Sequence, residues 1–362
     1  MKLENICDVF SGYAFKSFNE DKQGLPIIKI GNIKMDGSVD LDNCSYSTEV
    51  PNCKYKSRLN DIYIALSGAT TGKIGMMISE EYFYINQRVG IVRLIDNNVP
   101  INYLRYFLMS KTNKILNDAA GAAQPNISPK DVSKYDFIYK DIFEMNRIAN
   151  ELNNAYSLIG IKKKQLTMFD ELIKSRFIEQ FGKYDKVELH TISKITMGQS
   201  PDSSSYNDEG NGLPFFQGKG DYGEKYTVVR HYTTSPKKLA KKDSVLMSVR
   251  APVGPVNIAN IECCIGRGLC SIDAIEGSTN NEFIYNALNA MQDEISGKGN
   301  GSTFSAINKD DVYKLLIPDA PINEQNEFSD FVKLIDKSKF IVQQQIKDLQ
   351  ELLDKKMDEY FG

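Results

Sequence analysis

Few residues in this 362-residue chain have the types and spacing that catalysis needs. Gly218-Lys-Gly-Asp-Tyr-Gly223 satisfies GxGxxG and follows a short apolar run, Leu213–Phe216. A dinucleotide loop also needs a helix N-terminus under the pyrophosphate, and here the β-rich stretch Tyr226–Arg230 follows instead. Gly68-Ala-Thr-Thr-Gly-Lys73-Ile74 approaches a phosphate-binding loop but is one residue short, with Ile74 where a Ser or Thr would reach magnesium. It reads as a turn between two strands, with Lys73 left as a candidate contact for a phosphate. No Asn/Asp-Pro-Pro-aromatic run occurs, so no resident amino-methyltransferase centre is expected. Pro201-Asp202 and Pro318-Asp319 lack a downstream acid-x-Lys, and Glu20-Asp21-Lys22 lacks an upstream Pro-Asp, so no nuclease centre is expected either. The two histidines, His190 and His231, have no paired nucleophile in sight. Cys7, Cys44, Cys53, Cys263, Cys264 and Cys270 form no CxxC pair and read as reduced thiols rather than metal ligands. The chain reads as a binding protein, not an enzyme.

The charge pattern says what it could bind. The net charge of −3 and pI of about 5.7 weigh against a polyanion on average. The stretch from Lys225 to Arg250, however, holds Lys225, Arg230, Lys237, Lys238, Lys241, Lys242 and Arg250 against Glu224 and Asp243. A cationic face on an acidic scaffold suits nucleic acid. No apolar run is long enough to span a membrane, and Met1-Lys2-Leu3-Glu4 carries no signal-peptide core, so a cytoplasmic location is expected.

Two kinds of element must position these groups. The first is a globular part repeated once, over residues 1–142 and 183–322. In the first copy, strands are predicted at Pro26–Ile30, Asp61–Leu66, Lys73–Ile78 and Arg88–Ile95, and a helix over Ile101–Leu116. Gly121-Ala-Ala-Gln-Pro-Asn-Ile-Ser-Pro reads as a loop. Ile6, Val9 and Gly12 match Ile192, Ile195 and Gly198; Gly24-Leu-Pro matches Gly212-Leu-Pro; Asp61 matches Asp243; Arg88 matches Arg267; and Gly121, Ile127 and Asp131-Val match Gly301, Ile307 and Asp311-Val. Framework positions agree while loops differ: Ser11-Gly-Tyr-Ala-Phe-Lys-Ser faces Met197-Gly-Gln-Ser-Pro-Asp-Ser. Like scaffolds with unlike loops suggest two sites for two versions of one ligand.

The second element is a long amphipathic run over residues 143–182, repeated at 323–362. Ile148, Leu152, Ala155, Ile159, Lys162, Leu166, Phe169, Ile173 and Phe177 step by three and four; adding 180 to each gives Phe328, Val332, Ile335, Lys339, Val342, Ile346, Leu349, Leu353 and Met357. Both copies close on Phe-Gly. A heptad seam kept over about five heptads predicts coiled-coil helices, each reaching roughly 55–60 Å. Such a seam cannot bury itself, and a whole domain lies between the copies. The expected fold is therefore α+β: two similar globular domains separated by two long helices packed as an antiparallel coiled coil, a pseudo-twofold internal repeat with the domains at opposite ends of a rod. Lys162 and Lys339 fall on the seam, either snorkelling or forming a polar layer that fixes register.

This layout and its local motifs resemble the specificity subunit of type I DNA restriction-modification systems. The resemblance rests on Gly24-Leu-Pro with Lys29-Ile-Gly-Asn-Ile33, Ser67-Gly-Ala-Thr-Thr-Gly-Lys-Ile-Gly75, Ala122-Ala-Gln-Pro-Asn-Ile-Ser-Pro-Lys-Asp-Val132, Gly198-Gln-Ser-Pro, Gly212-Leu-Pro-Phe-Phe-Gln-Gly-Lys219 and Ile317-Pro-Asp-Ala-Pro-Ile-Asn-Glu-Gln325. The first helix approach, Ile138 to Asn146, lacks the prolines and the Gln, and Val249 to Val256 has prolines in place of Thr and Lys. The resemblance implies two target-recognition domains, each reading one half of a split site in double-stranded DNA, and spacer helices that set the gap and dock two methyltransferase (modification) subunits. Restriction subunits would join them in host defence. S-adenosylmethionine, ATP and Mg would sit on those partners, with no cofactor on this chain. Half-sites one turn apart lie on one face of B-DNA at roughly 34 Å, a span such a rod can bridge. For DNA contacts the loops offer Tyr13, Lys16, Lys29, Asn32, Lys73 and Arg88 in the first domain, and Gln199, Ser203, Gln217, Lys219, Arg230 and Arg250 in the second. The repeat alone would also suit a coiled-coil scaffold carrying two non-DNA interaction domains.

Overall fold

The computed structural model describes residues 1–19, 22–119, 126–297 and 306–362. Residues 121–125 of the expected loop, Gly301 in its repeat, and Glu20 and Asp21 lie outside the described residues. Two compact units divide the chain: Met1–Lys162 together with Gln345–Gly362, and Lys163–Gln344.

In the first unit an antiparallel sheet runs in the order Cys7–Ser11, Val89–Leu94, Ile62–Ala65, Ile74–Met76. A second sheet sets Leu25–Ile28 between Ser45–Ser47 and Tyr84–Ile85. The second unit repeats both. Its antiparallel sheet runs Ser193–Met197, Leu269–Ala274, Val245–Ser248, Val256–Ile258. Its other sheet sets Leu213–Phe216 between Tyr232–Thr233 and Cys263–Ile265, and adds Tyr206–Asn207 and Leu239–Ala240 at its edges. Ile62–Ala65 and Val245–Ser248 are buried throughout. A strand covered on both faces takes consecutive apolar residues, which makes such runs legible. Cys7–Ser11 is a half-exposed edge strand carrying Asp8 and Ser11, and no simple pattern announces it. The helix predicted over 101–116 is two helices, Ile101–Ser110 and Thr112–Ala119. Lys111 ends the first, its N–H turning back to the Leu108 carbonyl and its ammonium donating to the Phe361 carbonyl.

The hydrogen bonds correct the repeat register at two places. Asn60 N–H donates to the Met77 carbonyl and Asp243 N–H to the Ala259 carbonyl, so Asp243 matches Asn60 and Ser244 matches Asp61. Leu66 N–H donates to the Arg88 carbonyl where Val249 N–H donates to that of Gly268, so Arg88 matches Gly268, and Arg267 matches Gln87. Each sequence match had slipped by one residue toward a like side chain. The corrected register exposes an exchange. Buried Asp61 takes two hydrogen bonds from Arg93, at 2.8 and 2.7 Å; burial opposes the Arg93 charge, yet Asp61 holds its pKa above the ordinary value. The second unit has Ser244 donating to Asp273 in the same place.

The two long helices are Ile142–Phe181 and Ile322–Phe361. Every seam position named above is buried or half-buried. In the second unit Asp170 meets Lys339 at 2.7 Å, and further along Phe177 meets Phe328 with ring centroids 5.5 Å apart. Numbers rise on one helix as they fall on the other, so the segments run antiparallel. In the first unit Glu151 accepts from Tyr360 at 2.6 Å and pairs with Lys356 at 3.1 Å. Lys339 is 9% exposed and bonded on both sides, which makes it a polar seam layer rather than a snorkelling side chain. Lys162 is half-buried. Among the described residues no helix is long and apolar enough to cross a membrane.

The repeated Phe-Gly endings complete the cores. Phe361 is fully buried against Tyr103 and Phe107, with centroids 5.1 and 6.2 Å away. Phe181 does the same against Phe283 and Phe328, at 4.9 and 5.4 Å. Phe361→Ala is expected to destabilise the first unit by about 3–5 kcal/mol, read by chemical denaturation. Phe340→Ala, 69% exposed on the same helix, is expected to stay within about 0.5 kcal/mol. Equal effects would contradict this packing.

Candidate nucleic-acid interface

In the second unit four segments converge on a cleft of about 180 Å³. They contribute Ser200; Gln217, Gly218 and Lys219; Ser248, Arg250 and Ala251; and Arg267 with Gly268. Glycine sets the frame. A Cβ on Gly198 would lie 2.1 Å from the Gly266 carbonyl oxygen, so only glycine lets these two segments pass. Gln199 N–H then reaches the Ile265 carbonyl at 3.0 Å, and Arg267 N–H donates to Ser200 Oγ at 3.3 Å. Gly212, at φ +88°, and its counterpart Gly24, at φ +107°, open the strands that lead to the turns Lys219–Asp221 and Ile30–Asn32, in a backbone region other residues rarely enter.

Asp221 folds the central loop. Its Oδ2 accepts the N–H groups of Gln217 and Gly218 at 2.6 and 3.3 Å. That closes the tight turn Lys219–Asp221 and leaves the Gln217 and Lys219 side chains exposed. Arg230 Nη1 donates to the Gly220 carbonyl at 2.6 Å and ties the returning strand to the same loop. Lys219, Arg250 and Arg267 are all exposed, and no carboxylate pairs with them among the described residues. Three cations around one small cleft repel one another until an anion enters. Guanidinium forks match phosphate oxygens or a guanine edge in two-bond geometry.

The first unit builds the same frame with different chemistry. The turn Ile30–Asn32 corresponds to Lys219–Asp221, so Ile30 stands where the second unit has Lys219. Ile30 Cδ1 lies 3.6 Å from where a Gly68 side chain would begin, beside Ser67. Ser67 and Gln87 take the places of Arg250 and Arg267. The cations of the first unit stand at other positions. Lys29 Nζ sits 3.2 Å over the Phe18 ring, and burial lowers its pKa. Tyr13 packs against Phe15 and Tyr55 at 5.0 and 5.7 Å, and its backbone pairs with the segment at Asn86. Lys16 is exposed, with the backbone N–H groups of Lys16 and Ser17 both donating to Glu49. Arg88 is exposed on the turn before Val89.

The structure therefore brings together Gln217, Lys219 and Arg250, with Gln199 and Arg230 on adjoining segments. Ser203 is exposed on a separate short turn, Ser203–Ser205. Asn32 and Lys73 have other surroundings. Asn32 is 6% exposed, and its amide is spent inside the loop: Oδ1 accepts Lys29 N–H at 2.8 Å, and Nδ2 donates to the Asp40 and Asn43 carbonyls at 2.8 and 3.1 Å. It is the loop-folding counterpart of Asp221. Lys73 is half-buried in a different cleft, of about 460 Å³, with Lys34, Tyr156, Asp354 and Asp358. Arg267 and Ser200 line the same cleft as Lys219 without a local signal in the sequence. The correct repeat register, one residue from the sequence alignment, would have flagged Arg267.

The chain is thus a duplicated α+β domain whose two copies carry unlike side chains on one frame. The sequence profile of the type I restriction modification DNA specificity domain matches residues 1–167 and again 182–351. The putative type I restriction enzyme MjaX specificity subunit of Methanocaldococcus jannaschii is 31% identical over 365 residues, covering 92% of this chain and 86% of its own length. A chain from the structural work on complex assembly and conformational transition of the type I R-M system has a TM-score of 0.64 at 23% identity, covering 100% of this chain and 96% of that one. The type I restriction-modification S subunit from M. genitalium has a TM-score of 0.55 at 16% identity, covering 100% and 95%. The chain belongs to the type I restriction-modification DNA specificity family, as a specificity subunit.

Asp221→Ala is expected to cost about 1–3 kcal/mol through two orphaned loop N–H groups. Asp221→Asn, which keeps an acceptor as Asn32 does, is expected to cost clearly less. Denaturant midpoints of both variants give the comparison, and equal losses would contradict the loop-folding role.

Proposed function

We propose that each globular domain reads one half of a split sequence in double-stranded DNA. The observation that carries this reading is the exchange of side chains at matched backbone positions: Lys219, Arg250 and Arg267 around a cleft in one copy against Ile30, Ser67 and Gln87 in the other. A conserved frame positions each domain on the duplex, and the exchanged side chains specify different bases. Lys219, Arg250, Arg267 and Arg230 serve the second half-site with Gln199, Ser203 and Gln217. Tyr13, Lys16, Lys29 and Arg88 serve the first.

The long helices set the gap and dock two modification subunits in the cytoplasm. Outward apolar residues recur at the 180-residue offset that relates the helices. Ile161 and Ile341 are 62% and 57% exposed, and Leu172 and Leu352 are 46% and 49% exposed. Their repetition at matched positions of both helices suits two copies of one partner. The modification subunits hold S-adenosylmethionine and transfer the methyl group; restriction subunits bring ATP, Mg and cleavage. This chain carries no cofactor and no catalytic group of its own.

The test combines the chain with its modification subunits and measures methyl transfer on duplexes with both halves varied. Replacing residues 1–142 by the first domain of a relative is expected to change one half and leave the other half and the gap intact. Lys219→Ala is expected to weaken recognition of the half read by residues 183–322 by roughly 1–3 kcal/mol. Specificity that changes at both halves, or at neither, would contradict the proposal.

A further inference from the structure

The reading loop of the second unit continues into a hairpin whose tip is planted on a long helix. Val228 N–H bonds the Asp221 carbonyl at 2.8 Å, Tyr222 pairs with Thr227, and Gly223 N–H bonds the Tyr226 carbonyl at 3.0 Å. The base of this hairpin carries Lys219 and Arg230. Its tip carries Glu224 and Lys225, adjacent residues of opposite charge. Lys225 Nζ lies 2.8 Å from Glu282 and 2.5 Å from Asp336, with its side chain only 13% exposed. Burial opposes its charge, and the two carboxylates outweigh burial and hold its pKa above the ordinary value. Glu224 meets Lys339 at 2.9 Å and accepts from Gln343. Asp336, Lys339 and Gln343 follow one another at steps of three and four, so they share one helix face. Lys339 also bonds Asp170 on the antiparallel helix. A cleft of about 360 Å³ lies beside the tip, so water reaches the network.

The first unit has the corresponding hairpin without this set. Ile33 pairs with Val39, and Asp40 N–H bonds the Asn32 carbonyl at 2.8 Å. Lys34 pairs inside its own hairpin with Asp40, at 2.9 Å, and Arg105 reaches the Gly37 carbonyl at 3.4 Å. The positions 180 residues before Asp336, Lys339 and Gln343 hold Tyr156, Ile159 and Lys163.

We infer that Glu224 and Lys225 are positioning residues: they lock the Lys219–Arg230 reading loop to the spacer helix, and that lock makes the second half-site stringently read. The inference rests on the DNA-reading role proposed above. The loop is short and glycine-containing; Asp221 and the Arg230–Gly220 bond hold its base, and the backbone at Lys225 and Thr227 pairs with Ile258, so the side chains of Glu224 and Lys225 are what tie the tip to the helix. Anchoring the tip removes the freedom that would let Lys219 and Arg230 adapt to a wrong base. Loss of the Lys225 ammonium removes the charge that joins the tip to Glu282 and Asp336 and leaves both carboxylates without their cation, which frees one of the tip's two attachments.

The experiment uses the full chain with its modification subunits on a duplex library randomised in both halves and the gap. It compares wild type, Lys225→Met, Lys225→Arg and Glu224→Ala. Lys225→Met is expected to lower discrimination at the second half about tenfold, the size of coupling within one ion-pair network, with the first half unchanged. Lys225→Arg is expected to restore it, and Glu224→Ala to give a smaller loss at the same half. Unchanged discrimination in Lys225→Met, or equal loss at both halves, would overturn the inference. If Lys225→Met does not fold, Glu224→Ala decides: a loss confined to the second half supports the lock, and wild-type selectivity overturns it. A wild-type complex that enriches no split motif would instead overturn the DNA-reading role itself.

Discussion

The structure depends on one constraint: an apolar heptad seam that no single helix can cover. Each long helix presents buried or half-buried seam positions along its length, and each compact unit takes its share of both helices. The seam then runs on into the globular cores. Met145, Ile148, Leu152, Leu353 and Phe361 join the core of the first unit; Phe177, Phe181, Phe328 and Val332 join that of the second. A domain of this kind cannot be cut from its helices without opening its own core. The loops of each unit are thereby tied to the long helices through a shared core.

On that frame, chemistry is free to vary. Glycine at 198 and 212, and at 12 and 24, defines the backbone path of the loops, and loop-folding acceptors at Asp221 and Asn32 hold their turns. The side chains at the three positions compared then differ in each case: Lys219 with Ile30, Arg250 with Ser67 and Arg267 with Gln87. Even an interior ion pair is exchangeable: Asp61–Arg93 in one copy is Ser244–Asp273 in the other, each satisfying its buried polar atoms in a different way. The tip residues Glu224 and Lys225 extend the same logic, since they decorate a shared hairpin in one copy only.

Much of this was legible in the sequence, and the misses have physical reasons. The helices and their 180-residue repeat were readable because a seam must repeat its apolar period to be buried at all. Doubly covered strands such as Ile62–Ala65 announced themselves by continuous apolar runs; the edge strand Cys7–Ser11 did not. The break at Lys111 was invisible because the residue that supports it, Phe361, lies far along the chain. Alignment by residue likeness misplaced Asp61 and Arg88 by one position, because conserved hydrogen bonding need not conserve side chains. Asn32 read as a contact because a polar loop residue looks alike whether it faces solvent or folds its own turn. Lys73 lines a different cleft from Lys219, and nothing local tells which side of a sheet a turn lysine serves.

The most direct measurement is a genome-wide map of methylated adenines in the host, with this chain present and deleted, while its modification subunits are expressed. The account predicts a split motif: two short, different half-sites around a fixed gap, vanishing on deletion. A continuous motif, or methylation indifferent to the chain, would contradict it.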